Sequence, residues 1–174
     1  MSMKVIEHIE VGSGGAAEIE FTSISGDYTD LMILLSAQSS NSGTSVDNVF
    51  IEFNGSGSGY SNRYLIGTGS AVASDPQTDG FFAQVGEALT NAFANTSVYI
   101  PNYTSGVAKS YSSDSVSEYN GTAARQAIVA GLWTGTAAIT SIKLYVISPY
   151  DFVQYSSATL YGITAGSDGT TTVS

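Results

Sequence analysis

The sequence predicts an all-β protein, an antiparallel sandwich or barrel, on three observations. Apolar and polar residues alternate with a period of two in segment after segment, as in strands with one buried face. Turn-forming clusters separate those segments at fairly regular spacing. No stretch sustains a helical period.

Taken in order, Ile19 and Phe21 alternate with Glu18, Glu20 and Thr22, and predict a half-buried strand. Leu31 to Leu35 is apolar at consecutive positions, as expected of a central strand covered on both faces. Val49, Ile51 and Phe53 alternate with Asn48, Glu52 and Asn54, and Val98 with Ile100 beside Tyr99. Ala127 to Trp133 is a second consecutive apolar run, read like the first as doubly covered core. Ile142, Leu144 and Val146 repeat the alternation against Ser141, Lys143 and Tyr145. The punctuation is GSGG at 12–15, SGD at 25–27, NGSGSG at 54–59, Asp79-Gly80, Asn120-Gly121 and Ser148-Pro149. Gly86 to Ala94 has room for a helical turn or two around Glu87, Ala88 and Leu89.

The 174 residues fit a single domain, 1–174, which buries about 70% of the surface its unfolded chain exposes and needs no metal or disulfide. The absence of Cys excludes a disulfide framework and thiolate metal sites while leaving the compartment open. No apolar stretch with a cleavage site follows Met1, and the run 31–35 is far shorter than the roughly 20 residues of a membrane helix. A soluble protein with no membrane partner is expected. The polar, Thr-rich stretch 165–174 is read as a C-terminal tail and 1–11 as an N-terminal arm.

The formal net charge of −10 repels phosphate backbones, so nucleic acid is not an expected partner. Only 11% of residues are charged, so hydroxyls and amides supply most of the polar surface. Such a surface loses less on desolvation than a carboxylate surface and suits burial against another chain.

Candidates for chemistry are few, and each has a simpler structural reading. His8 among acidic residues reads as a strand or surface histidine rather than a base. No G-x-S-x-G surrounds any Ser. The loop with Gly55, Gly57 and Gly59 lacks the Lys of a phosphate loop and reads as a hairpin tip. Glu18 and Glu20 share one strand face at about 7 Å, a spacing any acidic outward face produces. Asp75, Asp79 and Gly80 match positions one, five and six of a calcium loop, but Gln77 holds position three and Gly86 stands where the bidentate Glu belongs. Asp27 and Asp30 read as a turn former and a strand-entry residue. The expectation is a protein that is not an enzyme, with no catalytic residue, metal or cofactor. Tyr99, Tyr103, Tyr111 and Tyr119 fall in or beside polar stretches and are the candidate interface residues, with packing inside the sheet as the competing reading.

IEHIEV at 6–11, IEFTSI at 19–24 and YTDLMILLSA at 28–37, with YIPNY at 99–103, IVAGLW at 128–133 and SSATLYGI at 156–163, resemble segments of small structural proteins of tailed bacteriophages, especially those of aquatic hosts. The likeness spans nearly the whole chain and includes no active-site motif. It implies a jelly-roll sandwich in the virion. The implied role is capsid decoration, a cement protein on the outside of the head that binds the major capsid protein and itself, as a homo-oligomer such as a trimer. The alternative is a tail-fibre or tail-tip module that binds host-surface glycans, although no coiled-coil heptads are present and Trp133 sits in an apolar run that favours burial.

Overall fold

The computed structural model describes residues 2–43, 46–86, 92–118 and 124–165. Those residues form twelve strands: β1 (Ser2–Glu10), β2 (Glu18–Phe21), β3 (Asp30–Ala37), β4 (Val46–Phe53), β5 (Tyr60–Gly67), β6 (Val72–Gln77), β7 (Phe81–Gly86), β8 (Ala94–Ile100), β9 (Lys109–Ser117), β10 (Arg125–Trp133), β11 (Ile142–Val146) and β12 (Ser157–Thr164). They make two sheets, an eight-stranded one ordered β1-β12-β3-β8-β9-β10-β5-β6 and a four-stranded one ordered β2-β11-β4-β7. Every strand pairing is antiparallel. The protein is an all-β antiparallel sandwich.

Setting aside β5, β6, β9 and β10 leaves β1-β12-β3-β8 facing β2-β11-β4-β7. That order is consistent with an eight-strand jelly roll. The four extra strands widen one sheet only, so the larger sheet overhangs the smaller.

Alternation explains which residues fill the space between the sheets. From the large sheet come Leu31, Ile33 and Leu35 with Val98, Val129 and Leu160, and from the small one Ile19, Phe21, Val49, Ile51, Ile142 and Leu144, all buried in one contiguous cluster. Full burial of each such side chain contributes about 1.5–3 kcal/mol. Phe53 anchors an aromatic node, with ring centroids 5.6 Å from Trp133, 5.9 Å from Tyr111 and 6.1 Å from Tyr60. Gly131 leaves room for this node, because a Cβ there would lie 2.0 Å from the Tyr111 ring. Within the small sheet the backbone enters β7 tight against β4 at Gly80, where a Cβ would meet the Ile51 carbonyl oxygen at 1.9 Å.

Several expectations change. Among the described residues the runs 31–35 and 127–133 are covered on one face only: Leu34, Ile128 and Leu132 point outward and are exposed, because no described segment lies over the outside of the large sheet. The loop with Gly55, Gly57 and Gly59 is not a hairpin tip but a crossover from β4 in one sheet to β5 in the other. Its first residue, Asn54, is at φ 53° and accepts from the Thr140 and Ser141 amides while donating to the Ala138 carbonyl. Gly86 ends β7 and Ala94 opens β8, and the helical turn expected around Glu87, Ala88 and Leu89 lies outside the described residues. The arm at 1–11 is an edge strand paired along β12, with its register shifted between Val5 and Glu7. Beyond Ala165 the tail also lies outside the described residues.

Candidate docking face

The outside of the eight-stranded sheet is read from the strand register. One row across it runs Ser74, Leu65, Ile128, Asp114, Ser97, Leu34, Thr159 and His8, from β6 to β1. The next runs Pro76, Arg63, Ala130, Ser112, Tyr99, Met32, Tyr161 and Val5. Aliphatic side chains in and beside these rows stand open to solvent, with Leu65 at 48%, Ile128 at 50% and Val72 at 73% exposure. Between them lie hydroxyls and amides. The charged side chains of the face are Arg63, Asp114, Asp30, Glu118 and Arg125 and, at the β1 edge, Glu10 and His8. A chain of net charge −10 thus carries most of its acids elsewhere.

Three shallow depressions on this face join into one trough. The first is lined by Leu65, Gly67, Val72, Gln126 and Ile128, the second shares Gly67 and Gln126 and adds Val116 with the charged Glu118 and Arg125, and the third runs from Val116 past Asp114, Ser97 and Asn95 to Leu34. Among the described residues no aromatic side chain lines the trough.

The outside of the four-stranded sheet is built differently. A depression of about 340 Å³ lies between its outer face and the loop after β11, with Glu18, Glu52, Lys143, Tyr145, Pro149, Tyr150 and Asp151 on its wall. The Ser148–Pro149 peptide in that loop is cis. Lys143 Nζ sits 2.7 Å from Glu52 and 3.9 Å from Glu18, and 5.4 Å from the centroid of the Tyr145 ring. The hydrogen bond to Glu52 holds the Lys143 ammonium above its ordinary pKa. Burial, followed by the Glu52 charge, raises the Tyr145 phenol, whose ring stacks on Phe50 at 5.5 Å. Phe50 in turn meets Phe81, and Phe81 meets Tyr64. Phe50 and Phe81 are thereby buried although they belong to the outer face.

The four tyrosines singled out from the sequence do not act together. Tyr99 is on the open face, where its hydroxyl donates to Asp30 at 2.9 Å. Tyr103 is buried, with its hydroxyl donating to the Ser25 carbonyl and accepting from the Tyr28 amide. Tyr111 is buried in the Phe53 node, and burial pushes its phenol far up, as it does that of Tyr60. Tyr119 lies outside the described residues. The segment 103–119 reads as polar because β9 puts Ser110, Ser112, Asp114 and Val116 outward, while Tyr111, Ser113 and Ser115 face in. The two buried serines hydrogen-bond the carbonyls of Phe82 and Gln84, tying β9 to β7.

The remaining candidates have local partners. His8 Nδ1 lies 2.7 Å from the Thr159 hydroxyl on the sheet surface. Glu18 and Glu20 face solvent beside Lys143. Asp75 sits within β6 and receives a long contact of 3.4 Å from the Tyr64 hydroxyl, while Asp79 accepts from the Phe81 amide. Asp27 accepts from Ser25, and Asp30 holds the Asn102 amide as well as Tyr99. Among the described residues no three His, Cys, Asp or Glu side chains converge to hold a metal ion. Lys109 is buried without a carboxylate partner among the described residues; its ammonium donates to the carbonyls of Ser105 and Val107, and burial lowers its pKa.

The trough residues Leu34, Leu65, Val116 and Ile128 were not singled out as site residues by sequence reasoning. For Leu34 and Ile128 the signal is the apolar residue at both parities of 31–35 and 127–133, a pattern that predicts doubly covered core; Leu65 and Val116 lie outside those runs. The chain matches no protein-family model and no curated protein.

Proposed function

We propose that this protein is a structural component of a phage particle, a decoration or cement protein that sits on the head and works by contact rather than by chemistry. The observation that carries this reading is the outer face of the large sheet, a broad surface whose trough sets exposed aliphatic side chains among hydroxyls, amides and a few charges. An apolar patch of that extent on a strongly acidic protein is a surface built to be covered by protein. Binding of a folded β-sandwich across junctions of a shell stabilises the assembled lattice by mass action, since only the assembled state offers the contact. The major capsid protein and further copies of this chain are the partners this role calls for.

A specific observation favours a second reading. The depression with Tyr145, Tyr150 and Pro149 beside Glu52, Lys143 and Asp151 pairs aromatic and charged groups, as a glycan site on a tail-fibre or tail-tip module would. Tyr145 already carries Phe50 on its ring and Lys143 near it, which leaves that platform poorly open to a sugar. Decoration is therefore the conclusion.

Gold-labelled antibody against the protein, applied to intact particles, tests it. Label spread over the head is the expected result. Label confined to the tail would overturn decoration and turn attention to glycan binding, and unlabelled particles would overturn both readings.

A further inference from the structure

We infer that the open face of the eight-stranded sheet pairs with the same face of a second copy, about a two-fold axis that runs along the strands between β8 and β9. This rests on the structural reading above only in that both need the face covered; it names the occupant and the register.

The first support is the pattern of β3 and β10. Both are apolar at consecutive positions, as strands covered on both sides are, yet the described residues cover only one side of each. In the order β1-β12-β3-β8-β9-β10-β5-β6, β3 and β10 are equidistant from the centre of the sheet. An axis between β8 and β9 brings β3 of one copy over β10 of the other, twice. The two strands that lack a cover would cover each other.

Several side-chain pairs on shared rows are complementary under that operation, while Leu65 falls opposite Thr159 and Val116 opposite Asn95. Leu34 falls opposite Ile128 of the second copy, and Met32 opposite Ala130, a long side chain over a short one. Ser97 falls opposite Asp114, a hydroxyl donor for a carboxylate, so the central acids do not face each other. Tyr161 falls opposite Arg63, an aromatic ring against the cation of the face.

The area is sufficient. Eight strands spaced about 4.8 Å apart give a face about 34 Å wide, and seven residues at about 3.4 Å give about 24 Å of length. The product, about 800 Å² on each copy, is the size of a standard stable interface. Face-to-face packing of aligned sheets about 10 Å apart is itself a common arrangement.

The test is sedimentation velocity of the full chain with charge variants at facing positions. The wild-type protein should sediment as a dimer of the 18.0 kDa chain. Ile128→Lys alone and Leu34→Asp alone should each shift it to monomer, because each puts a charge against an aliphatic side chain twice. The double variant carrying both should recover the dimer, because each Lys then faces an Asp of the other copy. Ile147→Lys, at an exposed position after β11 of the other sheet, should leave the dimer intact. A wild-type monomer at 100-fold the concentration at which the variants are compared, a trimer, or a double variant no better paired than its parents would each overturn the inference. Head labelling of particles by a protein that is monomeric in solution would overturn the dimer and leave the decoration role standing.

Discussion

The outer faces of the two sheets are built from similar strands and end differently. On the small sheet, Phe50 and Phe81 lie against Tyr145 and Tyr64, and Lys143 lies between Glu52 and Glu18. Its apolar groups are covered by their own neighbours and its central cation is paired, so the face is complete within one chain. On the large sheet, Leu34, Leu65, Val116 and Ile128 stand exposed in a trough with hydroxyls around them. The difference teaches that exposure of apolar residues is not itself the signal, since any protein has some. The signal is their clustering on β6, β5, β10, β9 and β3 of one face, beside a face where the same residue classes are self-covered.

The largest expected effect separates the faces by stability. Phe50→Ala should destabilise the isolated subunit by about 3 kcal/mol or more, the usual loss for a buried phenylalanine. Ile128→Ser should change it by no more than about 0.5 kcal/mol, as for an exposed position. Urea unfolding, at a dilution where copies are separate, checks both, and equal losses would break the distinction between the faces.

Alkaline titration then tests the layer that both faces share. Burial raises the phenols of Tyr60 and Tyr111, so the folded chain keeps protons that the unfolded chain releases near pH 10. Stability is therefore level below about pH 10 and falls as pH rises beyond it. Phenolate absorbance should show a late-ionising group that appears together with loss of the fold. Ionisation of every tyrosine near pH 10 with the fold retained would mean that this layer is open.

The smallest effect concerns the closed face. Glu52→Gln removes the partner that raises the Lys143 pKa, and should cost at most about 1 kcal/mol, because such partly exposed pairs contribute little. The loss should shrink in 1 M salt, where the Debye length is about 3 Å. A several-fold larger loss would show the pair to be a structural support of the face rather than its polar finish.

Much of the fold was legible because strand chemistry is local. Alternation at 18–22, 48–54 and 141–146 reports which side chains face the core, and the inward set Ile19, Phe21, Val49, Ile51, Phe53, Ile142 and Leu144 is the buried one. The tyrosines were less legible. Tyr111 stands among serines, and only the glycine at 131 across the strand pair, with Phe53 from the other sheet, makes a place for its ring inside.

By itself the sequence determined the all-β class, the strand segments, the acidic and charge-poor character of the surface, and the two runs that are apolar on both sides. Each follows from nearest-neighbour chemistry along one strand. Tertiary structure alone decided that the large sheet would overhang the small one, that 54–59 would cross between sheets, and that both apolar runs would keep one bare side. Those outcomes depend on strand order and on which layers the chain supplies, and a period of two gives the same pattern whether the second cover comes from the same chain or from another.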